Sequence, residues 1–175
     1  MKIGIFSDTH SKVGRAKKAI DLLIKNGAQY LIHAGDICEV RVLEYMKESR
    51  LPYIAVYGNN DAHMVQHHRK FNLVQEPHTF KIDKHLFKLM HLPYYMNPDA
   101  NIIIFGHTHM FECDYKGGSL FINPGEACAR NKPVSECLML TITDNSYDIT
   151  AYSRPLKTQE WKEQHISFER SQNNA

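Results

Sequence analysis

The N-terminal third of the chain alternates between short apolar runs and stretches in which apolar side chains recur at helical spacing. Three segments begin with an apolar run that has the length of a buried strand: 2–6, 30–36 and 53–61. Residues 12–25 carry apolar side chains close to the helical period, Gly27 stands where such a helix ends, and residues 40–48 favour a second, shorter helix. Strand and helix patterns that alternate at this spacing predict βαβ units and a largely parallel sheet.

Beyond about residue 78 the pattern changes to short strands joined by turns. The predicted strands are 79–82, 86–91, 102–109, 119–125, 137–143 and 147–152. Residues 144–146, with the sequence Asp-Asn-Ser, favour a hairpin turn between the last two of these strands. The second half of the chain is therefore predicted to be rich in β-structure.

The length of 175 residues is typical of one domain with a buried core. We expect this domain to span residues 1–154, followed by a polar C-terminal extension over residues 155–175 that is not a separate domain. Trp161, Ile166 and Phe168 are the apolar residues expected to anchor the extension. A helix, a docking arm and a frayed end all remain open for it.

Composition excludes several classes of protein. A formal net charge of +2 is too small to indicate nucleic-acid or membrane binding by itself. The four cysteines include no C-x-x-C pair, which argues against a zinc knuckle and a secreted disulfide framework. No apolar stretch approaches the roughly 18 residues of a membrane helix, and the N-terminus shows no signal peptide. We therefore expect a cytoplasmic protein without a membrane partner. Its eleven histidines are an excess that needs an explanation.

Residues able to bind a metal stand where the apolar runs end. They are Asp8, His10, Asp36, Asn59, Asp61, His91, His107 and His109. Ligands of open α/β sheets bind outside the carboxyl ends of the strands, so residues remote in sequence meet there. In an extended segment residues i and i+2 point the same way, so Asp8 and His10 can present two groups to one site, as can His107 and His109.

The predicted ligands are oxygen and nitrogen atoms, with no thiolate among them. Such a mixed set suits Mn²⁺, Fe or Zn²⁺ better than Ca²⁺. All of these residues except Asp61 are candidate ligands. Seven ligands are too many for one tetrahedral ion and about right for two ions that share a carboxylate. The sequence therefore predicts a two-metal site.

Structural explanations exist for some of these residues taken singly. Asp8 could cap the helix that follows it, and Asn59 and Asp61 could belong to an ordinary turn beside Gly58. His33, inside an apolar run, is better explained as a hydrogen-bonded core histidine than as a ligand.

The sequences SDTH, HAGD, GNND and FGHTH, in this order and each after an apolar run, resemble the motifs of the calcineurin-like metallophosphoesterases. The resemblance extends from Met1 to about Arg154, and the length is similar to that of the small bacterial and archaeal phosphodiesterases. It implies an α/β fold, a four-layer α/β/β/α sandwich of two packed mixed sheets with outer helices.

The resemblance also implies a role for each candidate ligand. One metal ion would be held by Asp8, His10, Asp36 and His109, and the second by Asp36, Asn59, His91 and His107, with Asp36 bridging. Two divalent ions are implied, with Mn²⁺ expected first and Fe, Zn²⁺ or Ni²⁺ as alternatives. A hydroxide bridging the two ions would attack a small phosphodiester. A catalytic role is assigned to Asn60, Asp61 and His91, and Asp61 is expected to orient the site.

Three positions depart from the pattern of the family. Many members have His after the Asn of the GN motif, where it assists the leaving group; here this residue is Asn60, which cannot act as a general acid. Leu92 follows His91 where Gly is usual, and Glu126 follows the NPG motif where Ser is usual. Lys132 and Arg130, beyond that motif, could neutralise substrate phosphate or lie in an ordinary solvated loop.

Two other functions remain open. A retromer subunit of eukaryotes resembles this family in fold but acts as a protein-binding scaffold. A scaffold can lose its metal ligands, whereas this chain keeps a suitable residue at every expected ligand position. Related double-strand-break nucleases share the motifs. This chain lacks a basic stripe, which disfavours nucleic acid as a partner but leaves it open. Exposed strand edges are compatible with a homo-oligomer.

Overall fold

The computed structural model describes residues 1–170, which form two β-sheets packed face to face. Within these residues the elements are, in chain order, β1 (Lys2–Phe6), α1 (Val13–Lys25), β2 (Tyr30–His33), α2 (Val40–Glu48), β3 (Tyr53–Val56), a 3₁₀ helix (Ala62–His67), β4 (Leu73–Val74), β5 (His78–Ile82), β6 (His85–Leu89), β7 (Ile102–Ile104), β8 (Phe111–Lys116), β9 (Ser119–Pro124), β10 (Val134–Ile142), β11 (Ser146–Pro155) and β12 (Lys162–Glu169).

The first sheet has seven strands in the order β12-β11-β10-β1-β2-β3-β4. The strands β1 to β4 are parallel to their neighbours, and α1 and α2 connect the first three of them. On the other side of β1 the strands β10, β11 and β12 are antiparallel, and β10 and β11 form the predicted hairpin. Parallel strands place the carboxyl ends of β1, β2 and β3 at one edge of the sheet.

The second sheet has five strands in the order β5-β6-β7-β9-β8. The central strands β6, β7 and β9 are parallel, and β5 and β8 are antiparallel at the two edges. The loops after β6 and β7 therefore leave the sheet at one edge, which faces the corresponding edge of the first sheet. This placement brings residues from both sheets to one site.

Successive side chains of β1 point to opposite faces of the first sheet, where two separate parts of the core lie. Ile3 and Ile5 are buried between the two sheets, whereas Phe6 packs with Leu23 of α1 on the other face of the first sheet. Both α-helices of the described residues contact this outer face. The outer face of the second sheet is apolar too, with Ile103 and Phe121 buried under the loop that precedes β7 rather than under a helix.

The two packed mixed sheets with few helices confirm the predicted α/β fold class. The sequence patterns did not predict β4, β8 or β12. Residues 111–116 of β8 have an unbroken alternation of half-buried and exposed side chains, so the signal for this strand was present. Residues 162–169 form an edge strand paired with β11, so the C-terminal extension docks on the first sheet rather than forming a helix or a frayed end. The expected anchors Trp161, Ile166 and Phe168 are partly buried against the core.

The predicted domain boundary at residue 154 stays a prediction, and the end of the extension, residues 171–175, lies outside the described residues. Neither α-helix in the described part of the chain is long and apolar enough to cross a membrane.

Candidate metal centre

The loops after β1, β2, β3, β6 and β7 bring all seven candidate ligands together at one edge of the two sheets. In the first group, Nε2 of His109 lies 3.2 Å from Oδ1 of Asp8 and 3.2 Å from Nε2 of His10. Nε2 of His10 lies 3.6 Å from Oδ1 of Asp8 and 3.4 Å from Oδ2 of Asp36. These four side chains thus point their donor atoms at a common centre.

The second group shares Asp36 with the first. Oδ2 of Asp36 lies 3.4 Å from Nε2 of His91. Oδ1 of Asn59 lies 3.1 Å from Nε2 of His91 and 3.1 Å from Nδ1 of His107. One carboxylate oxygen of Asp36 is therefore equally distant from a histidine nitrogen of each group.

The spacing of these donor atoms fits metal coordination. Neighbouring nitrogen and oxygen ligands about 2.0–2.2 Å from a metal ion lie about 2.8–3.1 Å from one another in octahedral geometry and about 3.3–3.6 Å in tetrahedral geometry. The distances within the two groups span 3.1–3.6 Å. The donor set, with carboxylate, imidazole and amide groups, also fits a divalent transition metal.

Asp8 gives an independent sign that a cation belongs here. Its side chain is fully buried, and its Oδ2 accepts hydrogen bonds from Oγ of Ser7 at 2.6 Å and from the backbone N–H of His107 at 3.1 Å. Among the described residues no hydrogen bond ends on Oδ1, which lies 3.2 Å from Nε2 of His109 and 3.6 Å from Nε2 of His10. A buried carboxylate oxygen without a donor is costly unless a cation binds it.

The backbone is strained at the ligands. Asp8, His10, Asp36, His107 and His109 all have φ between +36° and +68°, in the left-handed region that non-glycine residues rarely adopt. Such strain persists only where the surrounding structure fixes it, and it concentrates at functional sites. Here it turns the side chains after β1, β2 and β7 toward one another.

Two glycines allow the loops to approach closely. A Cβ at Gly58 would collide with the backbone nitrogen and carboxylate of Asp36, and a Cβ at Gly106 would collide with Oγ of Ser7. The glycines that precede Asn59 and His107 are therefore needed so that the loops carrying these ligands can approach their neighbours.

Hydrogen bonds fix which ring nitrogen of two histidines faces the centre. Nδ1 of His91 donates to the backbone carbonyl of Ala34 at 2.8 Å, which leaves Nε2 for the centre. Nδ1 of His109 donates to Oε2 of Glu126 at 2.7 Å, with the same result. Metal-binding histidines commonly have such a partner on the nitrogen remote from the metal.

Glu126 is a site residue that the sequence did not reveal. It is fully buried, and its carboxylate also accepts hydrogen bonds from the backbone N–H groups of Arg130, Asn131 and Lys132 at 2.8–3.0 Å. The sequence signal was its position after the NPG motif, where it appeared only as a departure from the family pattern. The loop after β9 thus carries a carboxylate that orients a candidate ligand.

Asn60 and Asp61 support the centre in different ways. Asn60 donates to both carboxylate oxygens of Asp36, from its backbone N–H at 2.9 Å and from its side-chain Nδ2 at 2.7 Å. Asp61 is fully buried and accepts hydrogen bonds from the backbone N–H groups of Ile37, Cys38 and Gly58 at 2.7–3.1 Å. Asp61 therefore ties the loop after β2 to the loop after β3.

The electrostatics of the centre favour ionised carboxylates. Burial raises the pKa of Asp36, but hydrogen bonds with His91 and Asn60 outweigh it and lower the pKa to about 2. Burial likewise raises the pKa of Asp8, and its contacts with histidines outweigh this effect, so the pKa lies well below its usual range. Both carboxylates are therefore negatively charged and available to cations.

His33, the last residue of β2, belongs to the core rather than to the proposed ligands. His33 is fully buried, its Nδ1 accepts a hydrogen bond from the backbone N–H of Gly35 at 3.1 Å, and its Nε2 lies 3.1 Å from Oγ1 of Thr9. Burial lowers its pKa to about 3, so the ring is neutral at physiological pH. His33 supports the strand that precedes Asp36.

A cleft of about 530 Å³ opens beside the centre. It is lined by His10, Ser11, Lys12, Cys38, Asn60 and Arg130. Arg130 thus faces the site, whereas Nζ of Lys132 lies 2.7 Å from Oε2 of Glu136 in an ion pair.

The sequence matches a known family over most of its length. A model of the calcineurin-like phosphoesterase superfamily domain matches residues 1–145. The chain belongs to this superfamily. Phosphodiesterase MJ0936 of Methanocaldococcus jannaschii is 29% identical to this superfamily member over 141 residues, which cover 73% of this chain and 85% of the relative. Phosphodiesterase YfcE of Escherichia coli is 27% identical over 146 residues, which cover 71% of this chain and 78% of the relative.

Solved structures of other proteins share the fold of this chain. The YfcE phosphoesterase of Escherichia coli has a TM-score of 0.70 at 22% identity, with 95% of this chain and 98% of the other covered. Vps29 of Chaetomium thermophilum has a TM-score of 0.77 at 13% identity, with 97% of each chain covered. The family model and the named relatives confirm the predicted family, its branch of small phosphodiesterases and the class of hydrolase.

Proposed function

We propose that this member of the superfamily hydrolyses a phosphodiester at a centre of two divalent metal ions. The observation that carries the proposal is the position of Asp36, whose Oδ2 lies 3.4 Å from Nε2 of His10 and 3.4 Å from Nε2 of His91. A carboxylate equally distant from two groups of ligands is suited to bridge two ions. The names of the two curated relatives support a phosphodiesterase.

Each group of ligands has a proposed role. Asp8, His10 and His109 would hold one ion and Asn59, His91 and His107 the other, with Asp36 shared. Divalent ions held there would supply hydroxide from water near neutral pH and would polarise the phosphoryl group. The ions we expect are Mn²⁺ first, with Fe, Zn²⁺ or Ni²⁺ as alternatives.

The surrounding residues would position the ligands and the substrate. Asn60 holds both oxygens of Asp36, and Asp61 holds the two loops that carry Asp36 and Asn59. Lys12 and Arg130 line the adjoining cleft and would place positive charge beside a bound phosphate.

Charge balance supports a diester over a monoester. Asp8 and Asp36 are the two negatively charged groups among the proposed ligands, so two divalent cations leave a charge of plus two. A hydroxide and a phosphodiester monoanion balance this charge, whereas a monoester dianion exceeds it. A small organic phosphodiester is therefore the proposed substrate.

Hydrolysis of bis(p-nitrophenyl) phosphate by metal-stripped protein, with and without added Mn²⁺, tests the function. We expect activity only with metal, and a loss of at least about 10³-fold in Asp36→Asn, because that variant removes the shared charge. Asp114→Asn, which changes an exposed carboxylate on β8, is the matched control and should keep full activity. Absence of turnover with any divalent metal, in protein shown to be folded, would reject the enzyme.

The second candidate is a protein-binding scaffold with the same fold. Large apolar side chains are exposed close to the proposed ligands: Tyr94 is 75% exposed shortly after His91, and Met110 is 61% exposed directly after His109. Such residues are typical of docking surfaces. The hydrolysis measurement separates the two functions, because a scaffold without catalysis would show no turnover restored by metal.

A further inference from the structure

A second pocket, of about 670 Å³, lies at the N-terminal end of α1. Its lining residues are Ser11, Lys12, Val13, Gly14, Arg15, Lys18, Arg154, Leu156 and Gln159. Four of these side chains are cationic, and none of these described lining residues is acidic. The volume lies within the range of small-molecule sites. The charge of this lining selects an anion.

Arg154, on β11, is the buried cation of the pocket. Its side chain is only 4% exposed, and its Nε has no hydrogen-bond partner within the described residues. Its Nη1 donates a long hydrogen bond of 3.4 Å to Oε1 of Gln159, and its Cζ lies 5.6 Å from the centre of the Trp161 ring. No carboxylate pairs with it in the described part of the chain. A guanidinium buried in this way is stabilised by an anion that reaches it.

The helix end adds a second source of positive potential. Helix α1 has 13 residues, no acidic side chain in its first turn, and no side-chain hydrogen bond from its N-cap residue Lys12. The N-terminus of a helix carries a partial positive charge and backbone N–H groups that bind anions. A Cβ added at Gly14 would meet no atom within 4 Å, so the pocket is open above the first turn.

The pocket adjoins the cleft of the proposed metal centre. Ser11 and Lys12 line both cavities, directly after the proposed ligand His10. A single molecule can therefore contact both. The alternative of a separate effector site is less favoured, because the shared wall makes the two cavities parts of one surface.

We propose that this pocket binds a phosphate group that the substrate carries in addition to the diester hydrolysed at the metal centre, an assignment that rests on the proposed function. Arg154 and Lys18 pair with the phosphate from the sides, and the first turn of α1 faces it. The substrate class is then a phosphodiester with a second, terminal phosphate.

Binding of inorganic phosphate, followed by the fluorescence of Trp161, tests the anion site apart from catalysis. Trp161 is the only tryptophan and lies beside Arg154, so its emission reports on this pocket. The titration uses the full-length, metal-loaded protein at constant ionic strength, with chloride as the non-binding anion. We expect a saturable change in the wild-type protein.

Two variants with matched controls locate the site. Gly14→Asp places a carboxylate in the open space above the first turn, and Gly14→Ala makes the same backbone change without the charge. Lys18→Gln removes a lining charge, and Lys25→Gln removes an exposed charge at the far end of the same helix. We expect the Kd for phosphate to rise about fivefold or more in Gly14→Asp and Lys18→Gln relative to these controls.

The outcomes of the titration are distinct. Weaker binding in both charge variants, with normal binding in both controls, supports the anion site. Gly14→Asp is also expected to be as stable as Gly14→Ala, because an acidic residue in the first turn favours the helix. Absence of a saturable change in the wild-type protein, or equal Kd values in Gly14→Asp and Gly14→Ala, would overturn the site.

A kinetic comparison tests the link to the substrate. Thymidine 5′-(p-nitrophenyl phosphate) and its 3′-phosphorylated form differ only in the second phosphate. We expect the ratio of their kcat/KM values to favour the phosphorylated form, and to fall about fivefold in Lys18→Gln but not in Lys25→Gln. An equal ratio in all proteins would overturn the substrate assignment. Absence of hydrolysis of both would overturn the proposed function and this assignment together, while the fluorescence result judges the anion site by itself.

Discussion

Nδ1 of His109 donates a hydrogen bond of 2.7 Å to Glu126, and the same ring presents Nε2 to Asp8 at 3.2 Å. The imidazole thus connects a carboxylate of the loop after β9 to a carboxylate of the loop after β1. Glu126 is held in turn by backbone N–H groups of residues 130–132. The orientation of the proposed ligand His109 therefore depends on Glu126, which forms no hydrogen bond with any other proposed ligand.

Replacing Glu126 with Gln is expected to weaken metal binding about 10- to 100-fold, because the amide loses the charge that fixes the His109 tautomer. Competition with a chelator measures this affinity, and circular dichroism checks that the variant is folded. Glu163→Gln, at an exposed position of the edge strand β12, is the control and should bind metal normally. Equal metal affinity in both variants would show that the contact with Glu126 does not position His109.

Replacing Asn60 with His tests whether the leaving group lacks a proton donor. We expect hydrolysis of an alkyl phosphodiester, whose leaving group needs a proton, to rise at least about tenfold, within the 10²–10⁴-fold range of general acid catalysis. The rate with a p-nitrophenyl diester should change far less, because p-nitrophenolate leaves without a proton. The measurement is kcat for both substrates. An equal change for the two leaving groups would contradict this role, and would point instead to the lost contact with Asp36.

Asp61 is expected to act mainly through the positions of its loops. Asp61→Asn leaves one acceptor oxygen for three backbone N–H groups and turns an amide donor toward them, so the free energy of unfolding should fall by about 2–4 kcal/mol. Urea denaturation measures this change. Asp114→Asn, at an exposed position of β8, should stay within about 0.5 kcal/mol of wild type. A variant as stable as that control would show that the hydrogen bonds of Asp61 do not hold the loops.

His33 is expected to make the protein sensitive to acid. Burial lowers its pKa from 6.5 to about 3, so the unfolded chain binds a proton between these values that the folded chain does not. The unfolding free energy therefore falls as the pH falls below about 6.5, by about 1.5 kcal/mol between pH 6.5 and pH 5 from this residue. Cations bound nearby act in the same direction, because they also oppose a charged His33.

Denaturation of the wild type and His33→Gln at the two pH values isolates this contribution. The glutamine cannot titrate, so the variant should lose about 1.5 kcal/mol less than the wild type over this interval, whatever its stability at pH 6.5. Equal losses in the two proteins would show that His33 does not carry the acid sensitivity.

The sequence predicted those parts of the molecule that depend on local patterns. Residues 2–6 and 40–48 form the expected strand and helix, and the polar residues after the strands meet as expected because parallel strands share an edge. Apolar and polar residues also alternate in residues 111–116, which is the local pattern of the strand β8.

Other features depend on contacts between distant residues. Glu126 appeared only as a departure from a motif, because its importance comes from His109 and from backbone groups that fold around it. Arg154 gave no signal, because its burial depends on Gln159 and Trp161 before β12 and on the pocket at the start of α1. The strand β12 is largely exposed, so it lacks the apolar pattern that reveals buried strands.

The count of metal ions, measured together with activity, tests the central proposal most directly. Metal-stripped protein is titrated with Mn²⁺, and bound metal and the rate of diester hydrolysis are measured in the same samples. We expect two ions per chain, a rate that rises with the second ion, and weakened binding of both in Asp36→Asn. Full activity with one ion per chain, or two ions bound normally by Asp36→Asn, would contradict a two-metal centre shared by Asp36.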